Sequence, residues 1–289
     1  MATTANLITD VRSRIVEATA SYFTDAEIVR WLNQGYRRFL SQTEWNERCT
    51  AITVVANQFE YNLGSDLIKV QDVRWADQYK VWFRDLEEFG RYVGQSASQT
   101  AARPYLYRLM PGNNNIMRIY PKPTDSSATT TISDCSVSTS VTTINVLSTS
   151  SFPSYGRIII GSEQILYYAK TSTSFTQCVR GDGYTTAATH AFGNTVYYAP
   201  LEVYNVFQPI DLVSGTSDPV TPAMYDEALI NYACHVAMLK RERYDEAQMF
   251  LQFYDKIVQT AVEERRRVQL DRLHVLKDED EYGNYYSWV

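Results

Sequence analysis

An α+β fold is predicted: a helical body built from N-terminal helices and a C-terminal antiparallel helix hairpin, with β segments and an all-β, sandwich- or barrel-like stretch between them. Three observations lead there. A capping signature followed by an apolar stripe opens a helix at Thr24, two further helical stripes close the chain, and short alternating runs punctuated by Gly, Pro and Asn fill the middle.

A first helix is expected around residues 7–19. In Thr24-Asp25-Ala26-Glu27, the threonine side chain can accept from the Glu27 N–H while the Glu27 carboxylate reaches back to Thr24. Behind that cap Ile28, Trp31, Leu32, Phe39 and Leu40 share one helical face. Alternating runs at 51–56, 58–63, 68–75 and 80–83, broken at Asn57 and Gly64, read as strands, and 83–94 as a short helix. Residues 103–123 read as a hairpin turning at 111–115 and closed by Pro121 and Pro123.

From Asp125 the composition changes to Ser, Thr and small β-formers. The stretch 125–204, with three basic and five acidic residues, reads as a separate β module. Gly156, Gly161, Gly181, Gly183 and Gly193 fall as turns between its strands. Helices return after Asn205. Thr221-Pro222 makes an N-cap and first-turn pair, after which Tyr225, Leu229, Tyr232, Val236 and Leu239 trace one face. A second stripe of Ala247, Phe250, Leu251, Tyr254, Ile257, Val258 and Ala261 follows a short joint, so the two helices should pack antiparallel. The domain organisation read from these changes is 1–124, 125–204, 205–276 and a tail, 277–289, that is unstructured or ordered by a partner.

Net charge is −6 and pI near 5.2, without the cationic surplus that a grip on phosphates requires. The acid is concentrated late: 1–124 carries 15 basic and 13 acidic residues, the stretch from Asn205 9 and 15. Cys49, Cys135, Cys178 and Cys234 are scattered, and the N-terminus has no secretory pattern, which suits reduced thiols in a protein made in a cytoplasm. No stretch approaches the roughly 18 apolar residues of a membrane span, so no membrane is expected. Tyr, Phe and Trp together make 13% of the chain, a surplus that suits a protein with much interface.

The three histidines, His190, His235 and His274, are not paired with other ligands at metal-binding spacing, and no metal or cofactor is expected. Glu163 and Asp182 are carboxylates that a glycoside hydrolase would need as a pair. The simpler reading makes Asp182-Gly183 a turn and Glu163 a strand start. Motifs for nucleotide, hydride, acyl or zinc chemistry are missing, which argues against an enzyme. Arg180-Gly181-Asp182 reads as a turn. Arg37-Arg38 and Arg265-Arg266-Arg267 read as solvated helix faces, partners for Glu263, Glu264 and Asp271, or phosphate contacts. Tyr282, Tyr285, Tyr286 and Trp288 sit in a polar, acidic tail with no core of their own to fill, and would serve as anchors in another protein's groove.

The order of these signals resembles the head-to-tail adaptor (connector) proteins of tailed bacteriophages. The matching pieces are TDAEIVRWLNQGYRRFL, NQFEYNLGSDLIKVQDVRW, RPYLYRL with IMRIYPKP, and VTPAMYDEALINYACHVAMLKRERYDEAQMFLQFYDKIV, covering about 7–123 and 202–273. The resemblance implies a non-enzymatic structural subunit, without cofactors, made in the host cytoplasm and placed at the virion neck. It implies a homo-oligomeric ring of twelve that docks under the portal protein, meets a tail or nozzle protein below, and passes DNA as a non-specific passenger. The C-terminal segment of related proteins reaches toward the portal, which nominates Tyr282, Tyr285, Tyr286 and Trp288. Arg265, Arg266 and Arg267 become candidates for ring or DNA-proximal contacts. Against the simplest adaptors 125–204 is an insertion, displayed outward and open to a fibre or neck protein. Two rival readings stand beside this one. One is a tail or fibre-anchoring protein whose β insert binds a partner or host glycan; the other is a carboxylate-dependent cell-wall hydrolase.

Overall fold

The computed structural model describes residues 3–17, 22–95, 99–110, 113–213, 215 and 219–283. They form two compact units, Met1–Asn46 with Pro209–Val289, and Glu47–Gln208. The described residues hold helices α1 (Thr4–Arg14), α2 (Asp25–Thr43), α3 (Leu86–Gln95), α4 (Asp226–Lys240) and α5 (Tyr244–Gly283), and the fold is the α+β mix the sequence predicts.

The first unit is built from α1, α2, α4 and α5. The capping box opens α2 as expected: Thr24 accepts from Glu27 N, and the Glu27 carboxylate accepts from Thr24 N at 3.0 Å. The predicted stripe is the buried side, with Ile28, Leu32 and Phe39 sealed from solvent. α1 stops earlier than expected, because Val16 takes a left-handed backbone (φ 55°) immediately after the cap at Ile15.

The start of α4 also differs. Thr221 is buried and caps nothing; a 3-10 turn over Ala223–Tyr225 intervenes, and the α-helix begins at Asp226. Nor is α4 a one-faced helix. Ala228, Leu229, Ile230, Ala233, Cys234, Ala237 and Met238 are all buried, because α1, α2 and α5 all pack on it, while Leu239 of the expected stripe is exposed. The rings of Tyr232 and Tyr254 meet at 5.2 Å and His235 Nδ1 lies 2.8 Å from Ala247 O, so α4 and α5 run antiparallel as predicted. α5 continues to Gly283, into the segment expected to be unstructured or ordered by a partner; Lys and Glu carry little helix penalty even where no apolar stripe remains.

Gly35 sits where α2 crosses α4, and a Cβ there would fall 2.8 Å from Tyr232 Cβ. Gly35→Ala should therefore lower stability by about 1–3 kcal/mol through overpacking, although alanine favours the helix by about 1 kcal/mol. Urea denaturation checks this, and a stabilised variant would show that the crossing has room to relax.

The second unit is mostly strand. Its first half holds β1 (Glu47–Ile52), β2 (Glu60–Asn62), β3 (Leu67–Trp75), β4 (Tyr79–Lys80), β5 (Trp82–Phe83), β6 (Thr100–Ala101), β7 (Leu106–Met110), β8 (Asn113–Tyr120) and β9 (Lys122–Pro123). Its second half holds β10 (Thr129–Thr131), β11 (Ser136–Val137), β12 (Ile144–Asn145), β13 (Gly156–Ile160), β14 (Glu163–Lys170), β15 (Ser174–Val179), β16 (His190–Ala191), β17 (Thr195–Tyr198) and β18 (Leu201–Phe207). One sheet runs β1-β18-β3-β4, with Glu47 opposite Val206 and Leu201 opposite Trp75. A second runs β2-β8-β7-β5 and shares a core of Tyr61, Val73, Met117, Ile119, Leu201 and Val203 with the first. A six-stranded sheet, β10-β17-β13-β14-β15-β12, closes over its own core of Ile158, Ile160, Ile165, Tyr167, Phe175 and Val196. Two-stranded pairings, β11 with β16 and β6 with β9, complete the unit.

Candidate functional site

Among the described residues, a dense polar cluster lies in the second unit, where β14 and β15 meet the loop before β16. Glu163 opens β14 as expected, and Asp182-Gly183 lies in a 3-10 turn. Glu163 is completely buried. Arg180 grips it with two parallel bonds of 2.7 Å, and Gly181 N and Ala188 N each donate to it at 3.0 Å. His190 Nε2 lies 2.7 Å away and must carry the proton, since an ionised carboxylate only accepts. Burial opposes the charge, but the donors from Arg180, Ala188 and His190 overrule it and hold the carboxyl at about 2. Such a group has its lone pairs occupied and no proton to give, so its chemistry is that of a structural anion.

A second cluster adjoins it. Asp182 accepts from Arg157 Nε and from Gln164 Nε2, both at 2.8 Å. Gln164 also donates to Cys49 O at 3.0 Å and accepts from Ala51 N at 2.8 Å, so its amide lies along the edge of β1 as a neighbouring strand would. Gly183 backs this contact with φ +64°, and a Cβ there would come 2.4 Å from Cys49 O. Arg157 Nη1 stands 2.9 Å from Glu202 on β18, whose side chain is 1% exposed.

Burial pushes the Glu202 carboxyl up to about 7, because the one arginine beside it is shared with Asp182 and the charge of Asp77 also acts on it. Between the ordinary value of 4.5 and about 7 the folded chain keeps a proton that the unfolded chain has lost, so stability falls as pH rises through that window. Glu202→Gln should abolish this fall and gain up to about 3 kcal/mol over the parent at pH 8, with little difference at pH 4. Urea unfolding at the two pH values checks it; equal pH slopes in both proteins would contradict the assignment.

Beside these clusters lies an open cleft of about 430 Å³, lined by Glu47, Arg48, Cys49, Val179, Arg180 and the 181–184 turn. Burial pushes the Cys49 thiol up to about 12, which makes it a poor nucleophile. Among the described residues no group of three or more His, Cys, Asp or Glu is placed to hold a metal, and no helix is long and apolar enough to cross a membrane.

The residues nominated from sequence lie elsewhere. Arg265 is 7% exposed, with its guanidinium 5.6 Å from the Trp45 ring, while Arg266 and Arg267 are exposed. Glu264, beside the basic run, accepts from Tyr225. Tyr282 falls within α5 but its side chain is outside the described set, and Tyr285, Tyr286 and Trp288 lie outside the described residues. Arg157, Gln164 and Glu202 were not singled out from sequence. Their only signal was a charged or amide residue within an otherwise apolar strand run.

The model of the family described as SU10 adaptor protein matches residues 2–275. No curated protein matches the chain.

Proposed function

Since the chain belongs to the SU10 adaptor protein family, structural proteins of bacteriophage virions that interact with other head and tail components at the neck, we propose that it is a head-to-tail ring subunit. In this reading copies of the chain assemble into a homo-oligomeric ring, of twelve subunits, that docks under the portal protein, extends the DNA channel and joins the capsid to a tail or nozzle protein below. The observation that carries it is a family match spanning both helical ends and everything between them.

The residues fit such a role in three ways. Tyr282, Tyr285, Tyr286 and Trp288 are the anchors offered to the portal, and Arg266 and Arg267, exposed on α5, are free to meet a neighbouring subunit or DNA, as Arg265 is not while buried against Trp45. The acidic balance of −6 suits a conduit, because a wall that gripped phosphates would retard the passing duplex. Tyr168, Phe192 and Tyr197, exposed on and beside the six-stranded sheet of the second unit, offer apolar surface to a fibre or neck protein.

The test is the mass of the full-length protein, alone and mixed with portal rings, by light scattering with negative-stain imaging. A ring, free or formed only on the portal, is the expected result. A monomer indifferent to the portal would overturn the reading and return attention to the fibre-anchoring alternative.

A further inference from the structure

The six-stranded sheet and the β1-β18-β3-β4 sheet bury separate cores, the one around Ile158, Ile165 and Phe175, the other around Val73, Leu201 and Val203. Alternation along β18 turns Leu201 and Val203 into the second core and Glu202 and Tyr204 the other way. The six-stranded sheet meets that opposite face, and the seam between them is polar. Arg157 of β13 reaches Glu202 at 2.9 Å, Gln164 of β14 spans Cys49 O and Ala51 N on β1, and Asp182 ties Arg157 to Gln164. The rings of Tyr184 and Phe207 also meet across it at 5.1 Å, with Tyr184 57% exposed. The chain enters the six-stranded sheet through 124–128 and leaves it through 199–200. Tyr198 N donates to Ala128 O at 2.8 Å, so these two crossings lie side by side, as the straps of a hinge do.

Glu202 is the weak point of the seam. It is buried much as Glu163 is, but Glu163 accepts from Arg180, Gly181 N and Ala188 N, whereas Glu202 Oε2 accepts no hydrogen bond among the described residues. Arg157 Nη1 stands near that oxygen without being aimed at it. The other groups facing Glu202 do not make up the difference. Arg74, opposite it on β3, is committed to Asp72 at 3.0 Å and to Asp77 O at 3.4 Å. Asp77 and Asp182 repel a further negative charge. Cys49, Tyr198 and Tyr204 adjoin it, and burial pushes all three up, so they stay neutral. A carboxyl so placed is stable there with its proton. Ionised, it is a buried charge with a share of one cation, and water reaching it as the seam parts relieves the cost.

We propose that this seam is a proton-operated latch: with Glu202 protonated the six-stranded sheet is held against β1, and with Glu202 ionised the seam opens locally, swinging at the paired crossings while both cores stay folded. The inference is independent of the ring reading and assigns a moving part to the second unit. Opening uncovers Cys49 O and Ala51 N, the strand edge that the Gln164 amide otherwise occupies. The closed latch keeps a proton that the open one gives up, so opening becomes easier as pH rises from the ordinary 4.5 to about 7, and changes no further above it.

The experiment follows amide hydrogen exchange site by site in the full-length protein at pH 5 and pH 8, with rates corrected for their intrinsic pH dependence. It reads the Ala51 N–H, which donates to Gln164. Protection there should fall on the order of 100-fold between the two pH values, and dilute urea should leave it unchanged, since a local opening exposes little surface. Amides of β13 and β14, paired within the six-stranded sheet, should be better protected and should weaken with urea. Glu202→Gln should keep Ala51 at its pH 5 protection at both pH values. Ala51 exchange as slow and as urea-sensitive as that of β13 and β14 would show that the seam parts only when the unit unfolds, and would overturn the proposal. So would protection that ignores pH, or a pH response that survives Glu202→Gln and so belongs to another group. The wild-type comparison decides by itself if Glu202→Gln does not fold.

Discussion

Glu163→Gln is expected to be among the most damaging single substitutions in the second unit, costing about 3–5 kcal/mol. A glutamine at 163 cannot accept both Arg180 bonds, and the arginine, 6% exposed at its side chain, becomes a buried charge without a counter-ion. Gly181 N and Ala188 N donate to different oxygens of Glu163, so whichever way the new amide turns its NH2 faces one of them, donor against donor. At roughly 2–4 °C per kcal/mol for a domain of this size, the melting temperature should fall on the order of 10 °C. Because the damage comes from the orphaned arginine, Glu163→Leu combined with Arg180→Met should recover part of it.

The pH dependence provides a second check. The folded carboxyl is held at about 2, below its ordinary 4.5, so its stabilisation is complete above 4.5 and drains away as pH falls toward 2. Thermal unfolding between pH 5 and 2 should therefore be steep in the parent and flatter in Glu163→Gln. A variant that melts within a degree or two of the parent would show that the network is dispensable.

Removing residues 282–289 should leave the melting temperature unchanged and abolish docking on the portal. The deleted stretch carries Tyr282, Tyr285, Tyr286 and Trp288, and buried aromatic anchors each contribute about 2 kcal/mol or more to a protein interface. Loss of even two of them corresponds to a weakening of about 1,000-fold. If the segment orders only on its partner, the entropy of ordering is offset only when the portal is present, which would place adaptor assembly after the portal is in position. Portal pull-down with the truncated chain measures this directly. Unchanged docking would move the contact to another part of the subunit.

Local signals were legible and long-range ones were not. The start and buried face of α2 follow from Thr24, Glu27 and an apolar stripe within one stretch of chain, and all of them are found in place. The antiparallel pairing of α4 and α5 needed only a short joint between two stripes. The burial of α4 on nearly all sides was hidden, because alanines and a cysteine between the expected stripe residues look neutral until three helices surround them. Glu163 was visible as a carboxylate and as a strand start, but not as the anchor of a network. Its partners Arg180 and His190 lie 17 and 27 residues away, and nothing local ties them together.

The position of β18 bears on how the chain is made. It is the strand between β1 and β3, so residues 201–207 complete a sheet begun at residue 47. α4 likewise packs onto α1 and α2 from beyond residue 225. During synthesis, each unit therefore waits for its closing element, with apolar faces of early helices and strands unburied until it emerges. The exception is the six-stranded sheet, whose neighbours β13, β14 and β15 are successive in the chain and can pair as they appear. Loop closure over such separations slows folding, and refolding of the whole protein should show a fast phase from these local hairpins and a slower one as β18 docks. A half-closed chain of this kind still exposes apolar surface and unpaired strand edges, the stage at which chaperones act.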